Sequence, residues 1–339
     1  MPPRNKIRRL AATLATLSLT PGMLLFGIWG ALALHYRAPV GDMARLALSV
    51  GFLIVGTLAA LAVVRRSARL VMPALVCFPA VLVWWTAIEP SQSRRWAGDV
   101  ARMVTAETHG DTLVLSNVRN FHWTGEATYE PAWETRSYNL AAISSVDLIA
   151  SYWDGENIAH MLVSFGFADG EHLIWSAELR RVEGQVYETV ASMFKLSELI
   201  MIAADERDLV GVRARNRGED VRLYPLSLPP EAARKLLLAY TQAANALAAH
   251  PRWYNVLTDN CTTVILDLAR TLDPSASYDW RVFLPGYFPE YAWEHGALDR
   301  SVPFNQWRAR ARISARAQAA DMQDGRAFSK QIRDGKPTP

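Results

Sequence analysis

The chain divides by its hydrophobic pattern before any residue is given a role. Leu10 to Leu34, Leu46 to Val64 and Leu70 to Ile88 are runs of 25, 19 and 19 residues with no charged side chain, and a helix of about 20 apolar residues crosses a bilayer core. Three membrane-spanning helices are therefore expected within residues 1–90. Pro21, Pro73 and Pro79 interrupt the runs, but transmembrane helices tolerate proline where neighbours satisfy the freed carbonyls. The first run also carries a basic start and an Ala31-Leu32-Ala33 triplet, as a cleaved signal peptide would. Its apolar stretch exceeds the ~7–15 residues of a signal core.

Beyond His109 the period changes. Thr112 to Val118, Val146 to Trp153, Ile158 to Phe167, His172 to Leu179, Glu198 to Ala203 and Val221 to Leu226 read as short strands separated by Gly, Asp and Asn, the pattern of a sheet of hairpins. Pro229-Pro230-Glu231 then opens a helix to about Ala249, with Ala233, Leu236, Leu237, Tyr240 and Leu247 at helical spacing. A second helix is expected after Thr258-Asp259-Asn260, any of which can cap it, with Val264, Ile265, Leu268 and Leu272 as its apolar stripe. Strands first and helices later predict an α+β class with an antiparallel sheet. The domain is expected over residues 91–305, followed by a polar helix and fraying tail over 306–339.

The basic residues orient the spans. Arg4, Lys6, Arg8 and Arg9, with Arg65, Arg66 and Arg69 in the second loop, outweigh the loop from His35 to Arg45. Basic segments stay cytoplasmic, so three crossings deliver the large domain to the periplasmic side of a bacterial inner membrane. The whole chain carries a net charge of only +3, and no basic stripe argues for nucleic acid. Half its residues are apolar, which excludes a disordered chain.

The candidate chemistry begins with cysteine. There are two, too few for a disulfide framework or a Cys-rich zinc site. Cys77 lies within the third span and reads as packing. Cys261 is a single thiol on the oxidising side, where an unused exposed thiol is a liability, and it falls in the first turn of a helix whose amides stabilise a thiolate and could receive an oxyanion. Its base must come from seven histidines, of which His160 and His172 share a hairpin.

In that hairpin the odd positions Ala159, Met161, Val163, Phe165 and Phe167 face Leu173, Trp175, Ala177 and Leu179 as one apolar surface. Apolar against apolar requires paired positions of equal parity, and a three-residue loop Ala168-Asp169-Gly170 with Gly170 left-handed satisfies it. His160 then stands opposite Glu178, a carboxylate that would fix the imidazole tautomer and stabilise its cation. A solvated polar face with a surface ion pair is the alternative reading of the same pattern. Asp205, Glu206 and Asp208 offer metal-type ligands but read as a charged turn, Arg180 and Arg181 read as a solvated pair, and no cofactor motif is present.

Four stretches, His160-Met-Leu-Val-Ser-Phe-Gly-Phe, Ser176-Ala-Glu-Leu-Arg, Ala204-Asp-Glu-Arg-Asp and Trp253-Tyr-Asn-Val-Leu-Thr-Asp-Asn-Cys-Thr-Thr, resemble the Lnb N-terminal periplasmic domain family over roughly residues 117–304. The resemblance implies a permuted papain-like fold, a Cys261 nucleophile with a His160 base, and, for the member that names the family, transfer of an acyl chain to the N-terminal amine of lipoproteins. Glu178 as third member rests on the register. This chain departs from that member in carrying its spans before the domain. The expected function is a membrane-tethered thiol acyltransferase or hydrolase whose partners are membrane lipid and a lipoprotein acceptor. The alternatives are an amidase of cell-wall peptide on the same residues and a non-catalytic envelope module.

Overall fold

A computed structural model describes residues 4–334. The backbone divides into two compact units, one of Met1–Ser91 with Tyr187–Leu196 and the other of Gln92–Val186 with Ser197–Pro339.

The first unit holds three long helices, α1 (Arg4–Arg37), α2 (Asp42–Arg65) and α3 (Ala68–Thr86). Thr16–Arg37, Asp42–Arg65 and Ala68–Thr86 are each long and apolar enough to cross a membrane. Gly27 and Gly56 let α1 and α2 touch backbone to backbone, since a Cβ on Gly27 would lie 2.9 Å from the Gly56 Cα. Small residues at such crossings are how apolar helices pack without a hydrophobic driving force. Phe26, Phe52 and Phe78 join the three helices with ring centroids 4.5 to 6.3 Å apart. Within the same unit Lys195 Nζ donates to the Trp85 and Ile88 carbonyls at 2.7 and 3.1 Å, closing the C-terminal end of α3.

The second unit is α+β. Its strands are β1 (Thr105–His109), β2 (Thr112–Arg119), β3 (His122–Trp123), β4 (Tyr129–Glu130), β5 (Trp133–Asn139), β6 (Ile143–Asp154), β7 (Ile158–Phe167), β8 (His172–Arg180), β9 (Glu198–Asp205) and β10 (Asp220–Pro225). Its helices are α4 (Glu206–Gly211), α5 (Pro230–Ala249), α6 (Cys261–Ala269), α7 (Phe288–Glu294), α8 (Phe304–Arg310), α9 (Ser314–Ala319) and α10 (Gly325–Arg333). The main sheet runs β1-β2-β9-β8-β7-β6-β10, with β5 also on β2. It is mixed rather than wholly antiparallel, because β2 meets β9 in parallel at Arg119 and Ala204.

Both faces of this sheet are buried, and that corrects the reading of its even positions as a solvated face. Met161, Val163, Phe165, Leu173 and Trp175 pack under Leu236, Leu237 and Tyr240 of α5 and Val264 of α6. On the other face Leu162, Ile174, Ile200 and Ile202 pack under Leu209 of α4, Ala317 of α9 and Phe328 and Ile332 of α10. Within the expected tail the described residues form short helices, of which α9 and α10 roof the second face, and the fraying end expected at its Gly and Pro residues lies outside the described residues. Phe328 and Ile332 are fully buried, each contributing about 1.5–3 kcal/mol.

Candidate active site

The β7–β8 hairpin brings His160 and Glu178 together. Gly170 has φ +84°, the Gly170 amide donates to the Phe167 carbonyl, and the ladder pairs Gly166 with His172, Val163 with Trp175 and Leu162 with Ser176, the register that the parity of apolar positions demands. The ladder stops there. Beyond Leu162 and Ser176, β7 stays paired with β6 through His160 and Ser151, and β8 with β9 through Glu178 and Ile200. The strands therefore part where His160 and Glu178 stand.

Into that parting comes the start of α6. Asn260 caps the helix, its Oδ1 accepting from the Thr262 and Thr263 amides at 2.8 and 2.9 Å, and the Thr263 hydroxyl accepts from the Asn260 amide at 2.8 Å, a reciprocal capping box. Of the three possible caps in the sequence, Asn260 is the one used. The capping also corrects an expectation, since the Thr262 and Thr263 amides are spent on Asn260 and are not open to an oxyanion. Cys261 begins the helix and is 7% exposed.

Around the imidazole the distances define a chain of groups. His160 Nε2 lies 2.7 Å from Ser176 Oγ and 3.2 Å from Glu178 Oε1. The Ser176 hydroxyl donates to the same Glu178 oxygen at 2.8 Å, and Arg213 donates to it at 2.8 Å. On the thiol side the Cys261 sulfur faces the His160 imidazole and the Met161 backbone amide, and both bear on its proton affinity. The Met161 amide is available because β8 no longer pairs there.

The charges follow. Burial alone lowers the proton affinity of His160, but the Glu178 carboxylate and the Cys261 thiolate outweigh it and push the imidazole up to about 9. Burial raises Cys261, yet the imidazolium, the Met161 amide and Thr262 together bring the thiol below its ordinary range. Glu178 is held well below the usual carboxylate range despite burial, by His160, Arg213 and Ser176. The arrangement favours thiolate and imidazolium over the neutral pair.

Pattern reading singled out Cys261, His160 and Glu178 and missed two of their neighbours. Ser176 had a signal, since it shares the parity of His160 and Glu178. Arg213 had none, because it lies in a π-helical turn, Val212–Asn216, that extends α4.

Two other readings change. Asp205, Glu206 and Asp208 are not a solvated turn. Asp205 caps α4 through the Arg207 amide, Asp208 accepts from Arg119, Trp123 and the Phe121 amide, and Glu206 accepts from Ser164 and Arg333. Arg180 is buried, bonded to the Val100 and Ala101 carbonyls and stacked 4.4 Å from the Trp96 ring, while Arg181 pairs with Asp99 at 2.7 Å. The donor atoms of Asp147, His172 and Glu206 lie within 4.8 Å of one another, but Arg333 reaches both carboxylates at 2.6 Å, so a guanidinium supplies the positive charge there. The aromatic segment Phe121 to Trp133 forms a small core of its own with Val212.

Residues 129–286 match the family described as Lnb N-terminal periplasmic domain, a span that contains Cys261, His160 and Glu178. No curated protein and no solved structure matches the chain. The family and the three apolar helices make this a membrane protein with a periplasmic domain.

Proposed function

We propose, on the premise that residues 129–286 belong to the Lnb N-terminal periplasmic domain family, that this protein is a membrane-tethered thiol acyltransferase or hydrolase working from Cys261. The observation that carries the reading is the buried Cys261 at the start of α6, set in the field of a His160 that is itself backed by Ser176 and Glu178. A thiolate is the nucleophilic form of cysteine. An imidazolium beside it is the acid that a leaving group needs.

In the first half-reaction the Cys261 thiolate attacks the carbonyl carbon of an acyl ester. The tetrahedral oxyanion forms next to the backbone amide of Cys261. It collapses to a thioester as the ester C–O bond breaks, and the departing alkoxide takes the proton from the His160 imidazolium. In the second half an amine or a water loses a proton to the now neutral His160 and attacks the thioester carbon, releasing the acyl product and the Cys261 thiolate. The spans favour a lipid ester as donor, because they hold the domain at a bilayer. The inner membrane, with the N-terminus cytoplasmic, is the location this reading requires.

Intact-protein mass spectrometry after incubation of the full chain with phospholipid vesicles tests it. A fatty-acyl mass increment, absent from Cys261→Ala and discharged by an amine-bearing lipopeptide, is the expected result. An increment matching a wall-peptide fragment after incubation with peptidoglycan would move the substrate to the cell wall. A thiol that acquires neither adduct would overturn the catalytic reading.

A further inference from the structure

Glu178 is served from two sides, and only one is explained by the thiol chemistry. Toward the active site it accepts from Ser176 and faces His160. Away from it stands Arg213, buried like the core and held at both ends of its guanidinium, with one nitrogen on Glu178 Oε1 at 2.8 Å and another on the Leu209 carbonyl at 3.0 Å. The backbone that carries it is π-helical. Such turns are rare and recur at functional sites, where the widened ring re-aims a side chain.

Burying an arginine beside a carboxylate that already has an imidazolium partner gains little stability, because the desolvation of the guanidinium offsets much of the attraction. Its effect on the reaction is more specific. A buried carboxylate with one cationic partner would hold that cation tightly, and His160 has to give up its proton to the leaving group and take one back within each cycle.

We propose that Arg213 is a positioning residue for His160, acting through Glu178: it fixes the carboxylate oxygen that Ser176 and His160 share and, by sharing its charge, keeps that carboxylate from locking the imidazole in its protonated form. The proposal rests on the thiol reading above. The other groups around the pair are accounted for. Arg119 of β2 and Arg217 beyond the π-helical turn extend their fields to Glu178, with Arg119 bound by Asp208 at 2.8 Å and Arg217 lying 3.9 Å from Glu219. Ser151 of β6, opposite His160, donates to Glu219. The Cys261 thiolate of α6 faces the ring, and Tyr240 of α5 lies in the thiolate's field.

The experiment titrates His160 directly. Full-chain protein with ¹³C-labelled histidine, in detergent micelles, is followed by NMR against pH, the His160 signal being the one lost in His160→Gln. In the parent the midpoint is expected near 9. Arg213→Met should raise it by about one pH unit, a tenfold gain in proton affinity, because one unit charge is removed from beside the carboxylate. Glu178→Gln should lower it, and Arg213→Lys should restore the parent value. Arg213→Gln, which keeps most of the shape, serves if the methionine variant fails to fold and should move the midpoint the same way. A lowered melting temperature with an unmoved or lowered midpoint in the neutral Arg213 variants would overturn the proposal and leave the thiolate–imidazolium pair standing. A parent midpoint at the ordinary ~6.5 would overturn the pair and this proposal with it.

Discussion

A thiol that is 7% exposed should resist ionisation, since burial disfavours the charged form. Cys261 is shifted the other way chiefly because a cation is buried with it, and that cation is held by the Glu178 carboxylate and by the Cys261 thiolate itself. The dependence has a sign that alkylation can read. With His160 in place, Cys261 should react with iodoacetamide well below the ~8.5 of a free cysteine, because the thiolate is already formed there. In His160→Gln the thiolate loses its counter-ion and keeps its desolvation, so the reactive limb should move above ~8.5. The rate at pH 6.5 should then fall at least about tenfold, because every pH unit by which the thiol's midpoint climbs removes about a decade of thiolate. Equal rates for parent and variant at pH 6.5 would show that the imidazolium does nothing for the sulfur. The raised imidazole carries a linked consequence for stability. A His160 bound more tightly to its proton in the folded state than in the unfolded one stabilises the fold fully below the unfolded value near 6.5, and that contribution is lost as the pH rises through about 9.

At the scale of elements, the hairpin and the nucleophile helix were legible because each is specified locally. Parity alone set the β7–β8 register, and the run Thr258-Asp259-Asn260 offered three caps for the start of α6, of which the fold uses Asn260 with Thr263 at N3. Asn260→Ala should therefore cost about 0.5–2 kcal/mol, read as a fall in melting temperature, and should also loosen the first turn that aims Cys261, so alkylation at low pH should slow along with it. Unchanged stability in that variant would mean that the capping box is incidental. Other elements escaped pattern reading for physical reasons. β3 and β4 are two residues long, too short to show a period. α4 passes straight out of β9, and its acids read as a turn because their partners Arg119, Arg136 and Arg333 lie 69 to 127 residues away in sequence. The parallel contact of β2 with β9 is equally non-local. The even positions of β7 and β8 looked like a solvent face because serine and histidine occupy them, whereas Ser164 and Ser176 are buried and hydrogen-bonded to carboxylates. What the sequence could not reveal was the roof above them.

For the molecule as a whole, the consequential element is that roof. The last described helix, α10, closes the second face of the sheet with Phe328 and Ile332 and ends at Arg333, which reaches Asp147 of β6 and Glu206 at the start of α4, both buried. The same sheet carries His160 on β7, directly paired to β6, so the integrity of the second face bears on the strand that holds the base. Arg333 draws Glu206 down to about 2, while burial still pushes Asp147 up. Arg333→Met keeps the apolar stem and deletes the charge. Two carboxylates would then be buried close together with no guanidinium, the circumstance in which breaking a buried ion pair costs about 3–5 kcal/mol. His172 lies within the field of both acids, but Arg333 is the group that bonds them directly. The loss should therefore depend on pH in a defined direction. Without Arg333 the folded carboxylates bind protons more tightly than the unfolded ones, so the variant should be weakest above the unfolded carboxylate range of ~4 and should recover relative to the parent as the pH falls toward it. Melting curves of parent and Arg333→Met at pH 7.5 and pH 4.5 check this: the gap should be wide at the higher pH and narrow at the lower. A gap that is the same at both would mean that Arg333 contributes packing alone, and that the charge buried beneath α10 is not what holds the helix down.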